Sequence, residues 1–442
     1  MPQRSVLLRP SRVLVLVILG AAGMAYYHLE IFVPGALEVR ASEGLGNGYS
    51  LGADFYPLWL TAREGMLHHS DPYSPETTRR IQIGLFGRPL GDNNSAIAPD
   101  PRAFANPAFA EFLFWPLALL PFPVVRIGLA VILAAVTAFS ILLWLRAVRF
   151  QFDRVRLASL ILLTLSSYSV LEGLFAEQIG LLVGFFLAAS LAALAEERLF
   201  LSGSLLALAL IKPQMMLLPA IYLLVWSFAQ WRARRPFVAG FVLVSALLGG
   251  PSLLIWPRWI SEWLDVLIRY RQYSTPPLAC YVLGSYAGSR FGPVLVAALL
   301  ACAIALAWRM RSASPASLEF ALTISLLLAM TVVALLPGQA VYDHVILLPG
   351  IILVAVSWRG FAASSRIFRV VLGVSAVALF WQWISAPLVI AARAIPSRRI
   401  FTEAVLVLPI RTAVSIPFGV LAVLALMMRQ ITLKKKYGRE RN

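Results

Sequence analysis

Residues 199–231 read LFLSGSLLALALIKPQMMLLPAIYLLVWSFAQW, an apolar run bounded by Arg198 and Arg232 and interrupted once, at Lys212-Pro213-Gln214. A hydrocarbon layer about 30 Å thick takes roughly 20 apolar residues per helix, so this run is too long for one crossing and too short for two. A hairpin of two short helices resolves the conflict, with its tip at Lys212 stopping inside the membrane. Non-helical backbone at that depth is tolerated only where it lines protein or a water-filled cavity. An ammonium placed there is costly and marks a functional site by default. Snorkelling to the headgroups is the plain alternative, opposed by the distance of the tip from the cytoplasmic surface.

The rest of the chain repeats the apolar theme. Of 442 residues 60% are hydrophobic and 13% charged, and the mean hydropathy is +0.80. That excludes a soluble domain. Apolar runs recur from Arg12 to Met428, predicting an all-α polytopic membrane protein of about 10–12 transmembrane helices. The formal charge of +17 would point to nucleic acid in a soluble protein. Here it is explained by loops on one side, which hold Arg146, Arg149, Arg154 and Arg156, then Arg232, Arg234 and Arg235, then Arg309 and Arg311, then Arg359, Arg366 and Arg369. The positive-inside rule places these loops and both termini in the cytoplasm. Lys434, Lys435 and Lys436 make 428–442 a basic cytoplasmic tail that meets anionic headgroups. Cys280 and Cys302 fall in a loop and a helix and predict no disulfide framework.

The acidic residues gather on the other side, among them Glu38, Glu43, Asp54, Glu64, Asp71, Glu76, Asp92 and Asp100. All eight lie in 34–123, a long first outer loop within a single integral membrane domain covering 1–442. Loops of this length are usually functional or disordered. Phe55, Leu58, Trp59, Ala62 and Met66 keep helical spacing and predict a short interfacial helix, and Ser74-Pro75 predicts the start of a second. Asp54, heading the first of these, reads either as its N-cap or as a carboxylate poised for proton transfer.

Glu177-Gln178 and Tyr342-Asp343-His344 fall at outward ends of spans, where a shared exterior cavity would collect polar groups. His344 is as well explained by structure as by catalysis. His68, His69 and Asp71 make a poor metal set, because adjacent histidines on a helix diverge and no further histidine supports them. Gly44, Gly46 and Gly48 form a glycine string with no preceding strand, and read as a flexible loop.

Several of these motifs together resemble glycosyltransferase family 87, polytopic enzymes of the GT-C fold. The resemblance is carried by Asp54-Phe55, Arg63, Asp71-Pro72-Tyr73, the run Trp115 to Pro121, Gln178, Ile211-Lys212-Pro213-Gln214 and Tyr342-Asp343-His344, in this order. Two stretches depart from it. Asn106-Pro107-Ala108 stands where Tyr-Pro-Pro is the family pattern, and Glu177-Gln178-Ile179-Gly180 where it is Gly-Gln-x-Asn.

The resemblance implies an inverting transfer of one sugar, a mannose-like hexose or a pentose, from a polyprenyl-phosphate donor to a lipid-linked or glycan acceptor. The reaction would take place on the outer face of the bacterial inner membrane. Asp54 would be the general base. Lys212 is the first choice for the donor phosphate, with Arg63 or an arginine between Arg258 and Arg271 as alternatives. Tyr73, Glu177, Gln178, Gln214, Asp343 and His344 complete the expected substrate-binding set. A monophosphate leaving group carries less charge than a nucleoside diphosphate, so neither metal nor cofactor is expected. A transporter or lipid flippase, a surface-polysaccharide ligase or polymerase, and a non-catalytic assembly subunit are the competing classes.

Overall fold

The computed structural model describes residues 10–42, 49–90, 101–363, 365–393 and 408–439. The glycine string Gly44, Gly46, Gly48 and the acidic Glu43, Asp92 and Asp100 lie outside them. Among the described residues the regular elements are helices, with one isolated bridge between Pro277 and Pro337.

The helices are α1 (Pro10–Tyr26), α2 (Val33–Ser42), α3 (Tyr56–His68), α4 (Pro75–Phe86), α5 (Ala110–Ala118), α6 (Phe122–Ala147) and α7 (Arg154–Leu165). They continue with α8 (Tyr168–Phe175), α9 (Gly180–Ala195), α10 (Leu199–Ala209), α11 (Pro213–Ala229), α12 (Trp231–Ile255), α13 (Trp259–Tyr273) and α14 (Leu278–Tyr286). The last are α15 (Phe291–Arg309), α16 (Leu318–Ala334), α17 (Leu348–Ala362), α18 (Arg366–Arg393), α19 (Leu408–Ala413) and α20 (Ile416–Arg439). A π-helical segment, Tyr27–Phe32, joins α1 to α2, and a 3₁₀ segment, Val341–Leu347, leads into α17.

Among the described residues seven helices are long and apolar enough to cross a membrane, or eight if the bent pair α7 and α8, inclined by 57°, counts as one. Four more apolar helices, α9, α10, α11 and α16, have 10–17 residues. The apolar runs that predict ten to twelve crossings therefore divide into full-length spans and shorter helices, of which α9 and α16 are the most buried. The clearest case is α16, whose residues from Leu322 to Ala334 are all buried. A helix apolar on every side belongs at the centre of a bundle. At the opposite extreme, α18 exposes Val370, Val374, Val377, Ile384 and Leu388, which suits a surface facing lipid.

The interrupted run 199–231 folds as a hairpin. At 1.5 Å per residue the 11 residues of α10 reach only about 16 Å, short of a crossing. The chain turns at 210–212 and α11 begins at Pro213, whose fixed φ and missing N–H suit a first helical turn. Close packing against α12 holds the hairpin. A Cβ on Gly203 would stand 1.9 Å from the Phe237 carbonyl oxygen, and one on Gly240 would stand 2.1 Å from that of Phe200. Only glycine lets two helices approach this closely.

Between α3 and α5 Ser74 caps α4 by accepting from Thr77 N–H, as the Ser-Pro signal predicts. Helix α3 also forms where the apolar spacing places it, and its apolar face is covered by α5. Phe55 meets Phe114 at 5.1 Å between ring centroids, and Trp59 Nε1 donates to the carbonyls of Leu117 and Leu120.

Candidate functional site

The capping role considered for Asp54 is not the one its side chain plays. The N-cap of α3 is Phe55, and no side chain caps the helix. Asp54 instead lies where the 50–55 turn is laced to the end of α8, with Gly52 N–H donating to the Phe175 carbonyl at 2.9 Å and Asp54 N–H to that of Ala176 at 3.3 Å. These bonds leave its carboxylate pointing at two other segments. Arg102 donates to Oδ1 at 2.6 Å, and Gln178 Nε2 donates to Oδ2 at 2.5 Å.

Gln178 carries the connection inward. Its Oε1 accepts from Lys212 Nζ at 3.1 Å, and the same ammonium donates to Asp343 Oδ1 at 2.6 Å. Lys212 also stands 4.9 Å from the centre of the Tyr342 ring. An ammonium has three N–H donors, and here a carboxylate, an amide oxygen and an aromatic face occupy its surroundings. Lys212 is thus deeply committed, with a side chain 10% exposed against 2% for Asp343. Asp54 and Arg102 are more open, at 23% and 15%.

The chain Arg102, Asp54, Gln178, Lys212, Asp343 alternates cation, anion and amide across segments far apart in sequence. Gly180 makes the close approach possible, since a Cβ there would stand 2.5 Å from Asp343 Oδ1. The small residue of Glu177-Gln178-Ile179-Gly180 therefore has a packing reason. Glu177 departs in the opposite sense. It adopts φ of 54°, a left-handed backbone in which a glycine is unstrained and a glutamate is not.

The Glu177 side chain is fully buried and both carboxyl oxygens lack partners among the described residues. Burial pushes its pKa up to about 8, against a weaker opposing pull from Arg126. It sits against the 50–55 turn, so that a Cβ on Gly52 would meet its Oε2 at 2.7 Å.

The remaining sequence candidates fall outside this chain of bonds. Arg63 donates to the Ala118 carbonyl at 2.7 Å and lies over Trp59, tying α3 to α5. Tyr73 is buried against Phe104 and donates to the Asn106 carbonyl at 2.8 Å, which anchors the segment that carries Arg102. Burial, with Glu111 adding to it, raises the Tyr73 phenol. Gln214 is exposed at the start of α11. His344 is buried with Nδ1 unpartnered among the described residues. Neither has a hydrogen bond to the Asp54 chain. His68 and His69 are exposed, and no group of three His, Cys, Asp or Glu side chains able to hold a metal occurs among the described residues.

Sequence reasoning missed Arg102, which lies 48 positions from Asp54 in a segment without periodicity. It also missed a neighbouring cluster in which Glu172 accepts from Tyr49 and bonds His28 Nε2 at 2.9 Å. His28 lies in the π-helical segment, an irregularity often found at functional positions. A cavity of about 420 Å³ lined by Glu197, Trp226, Gln230 and Arg234 lies at the other end of α9 and touches none of the Asp54 chain.

A family model described as glycosyltransferase family 87 matches residues 104–337, more than half of the chain. Gln178 and Lys212 fall inside the match, whereas Asp54, Arg102 and Asp343 lie outside it. Neither a curated protein nor a solved structure matches the chain.

Proposed function

The chain belongs to glycosyltransferase family 87 and is a multi-pass membrane glycosyltransferase, and we propose that it moves one sugar from a polyprenyl-phosphate donor to a lipid-linked or glycan acceptor. The reaction takes place on the outer face of the bacterial inner membrane, the side opposite the arginine-rich loops. The observation that carries this reading is a partly exposed carboxylate, Asp54, held between a guanidinium and an amide and bridged to an inner Lys212–Asp343 pair.

The acceptor hydroxyl oxygen attacks the anomeric carbon from the face opposite the phosphate, and the anomeric configuration inverts. Its proton passes to the Asp54 carboxylate. The bond from the anomeric carbon to the phosphate oxygen breaks with its electron pair, releasing polyprenyl phosphate. Charge growing on that phosphate needs a cation beside it. Arg102 fits this task better than Lys212, because its side chain is more open and a guanidinium offers five donors in a fork matched to phosphate. Lys212 and Asp343 position Gln178, which in turn orients Asp54. The expected roles of Lys212, Tyr73 and Arg63 thereby become supporting ones.

Asp54→Asn is expected to lower sugar transfer at least about 100-fold, the span typical of a lost general base, with folding intact. Transfer by purified protein from polyprenyl-phosphate sugars, with products read by mass spectrometry, tests it. Retention of more than about a tenth of the wild-type rate excludes the base assignment. The same assay with hexosyl and pentosyl donors identifies the sugar.

A further inference from the structure

The arrangement around Asp54 contains a conflict. The carboxylate must receive a proton, yet its Oδ1 already faces the Arg102 guanidinium at 2.6 Å and its Oδ2 the Gln178 amide. Moving a proton onto an oxygen beside a cation brings positive charge toward positive charge, so transfer is opposed while the ion pair lasts. The inner ammonium offers no relief, since Lys212 is buried on Asp343, Gln178 and the Tyr342 ring.

We infer that Arg102 is an exchangeable cap on the base: the donor's phosphate draws the guanidinium off Asp54, so the carboxylate becomes competent only once donor is bound. This rests on the reading of Asp54 as base and of the donor as a lipid phosphate. Three features of the Arg102 segment support the exchange. The segment is pinned just beyond Arg102, by Phe104 buried on Tyr73, by Trp263 Nε1 donating to the Ala105 carbonyl at 3.0 Å, and by Tyr73 donating to that of Asn106. Arg102 itself stands before this anchor in a left-handed backbone, φ of 53°, a conformation a non-glycine residue holds only under constraint. Its side chain and that of Asp54 are the open end of an otherwise buried network. A dianionic or monoanionic phosphate competes well for a guanidinium, because the fork geometry that binds carboxylate binds phosphate equally.

The exchange imposes an order, with donor before productive acceptor. It also predicts a behaviour that a fixed phosphate ligand would not give. If Arg102 must leave Asp54 to bind phosphate, removing the carboxylate makes phosphate binding easier, and the gain depends on Arg102.

Equilibrium binding of farnesyl phosphate to the purified full chain in nanodiscs, with farnesol as the control for tail binding, tests this. Arg102→Gln is expected to weaken farnesyl phosphate about tenfold, Asp54→Asn to tighten it about threefold to tenfold, and the double variant to bind no better than Arg102→Gln, a coupled rather than additive cycle. A gain from Asp54→Asn that survives in the Arg102→Gln background is simple relief of repulsion and overturns the exchange. So does unchanged binding in Asp54→Asn, which stands as a test even if Arg102→Gln fails to fold. Wild-type binding that is tight but indifferent to residue 102 removes the cap and leaves the proposed reaction standing. Loss of Asp54→Asn transfer with no farnesyl phosphate binding in any variant removes both the cap and the donor class.

Discussion

Two carboxylates meet at the 174–180 turn and are treated in opposite ways. Asp54 is bonded on both oxygens and linked through Gln178 to a second ion pair, while Glu177, the residue next to that amide, is fully buried with neither oxygen partnered among the described residues. Glu111 of α5 repeats the second pattern, buried against Gly65 of α3 with neither oxygen partnered among the described residues, and burial pushes its carboxyl well above the usual range with Asp71 adding to it. The difference teaches where this protein keeps charge. A buried ion must be paired or give up its charge, so Asp54 keeps a guanidinium and an amide beside it, while burial raises the pKa of the two orphaned carboxyls.

The most severe way to break the contrast is to orphan the inner pair. Lys212→Met leaves Asp343 buried without its cation, and removing one partner of such a pair typically costs about 3–5 kcal/mol. A large fall in the thermal midpoint in detergent is expected, together with near-complete loss of transfer. Adding Asp343→Asn is expected to recover much of the stability but not the activity. Recovery of both, or no fall in the single variant, removes the positioning role of the pair.

A milder intervention crowds the network without removing a charge. Gly180→Ala places a Cβ 2.5 Å from Asp343 Oδ1, so the carboxylate must shift and Gln178 with it. Turnover is expected to fall about tenfold with expression maintained, in keeping with the sensitivity of catalysis to displacements near 1 Å. Wild-type turnover in Gly180→Ala excludes a tight register between α9 and the 3₁₀ segment.

The smallest effect is expected at Glu177, and it lies in pH dependence. A carboxyl near pKa 4.5 when unfolded and about 8 when folded binds more protons in the native state between those values. Its contribution to stability is therefore fully present below about pH 4.5 and lost as pH rises through about 8. Glu177→Gln mimics the protonated form and is expected to match the wild type in thermal midpoint at pH 5 while exceeding it at pH 9. Parallel pH profiles for the two proteins mean that Glu177 is ionised and paired after all.

Much of the architecture was legible in local pattern. The hairpin at Lys212 followed from the run length and its break at Lys212-Pro213-Gln214, since a turn there fits the apolar stretch 199–231 between two arginines. Ser74-Pro75 and the apolar spacing of Phe55, Leu58, Trp59 and Ala62 likewise fixed α3 and α4. Asp54 was less legible. Its position before a helix matched a cap, and the cap failed because the turn is bonded to the end of α8, an interaction between residues more than a hundred positions apart.

Apolar periodicity and the cost of leaving backbone unpaired in hydrocarbon act within a single segment, and so the amino-acid order alone settled the membrane class, the helical architecture and the broken run. The partners of each charge were decided only by tertiary structure. Arg102 meets Asp54, Lys212 meets Asp343 and Glu177 has no hydrogen-bond partner among the described residues, because ion pairing depends on distances in space between segments whose spacing along the chain carries no period.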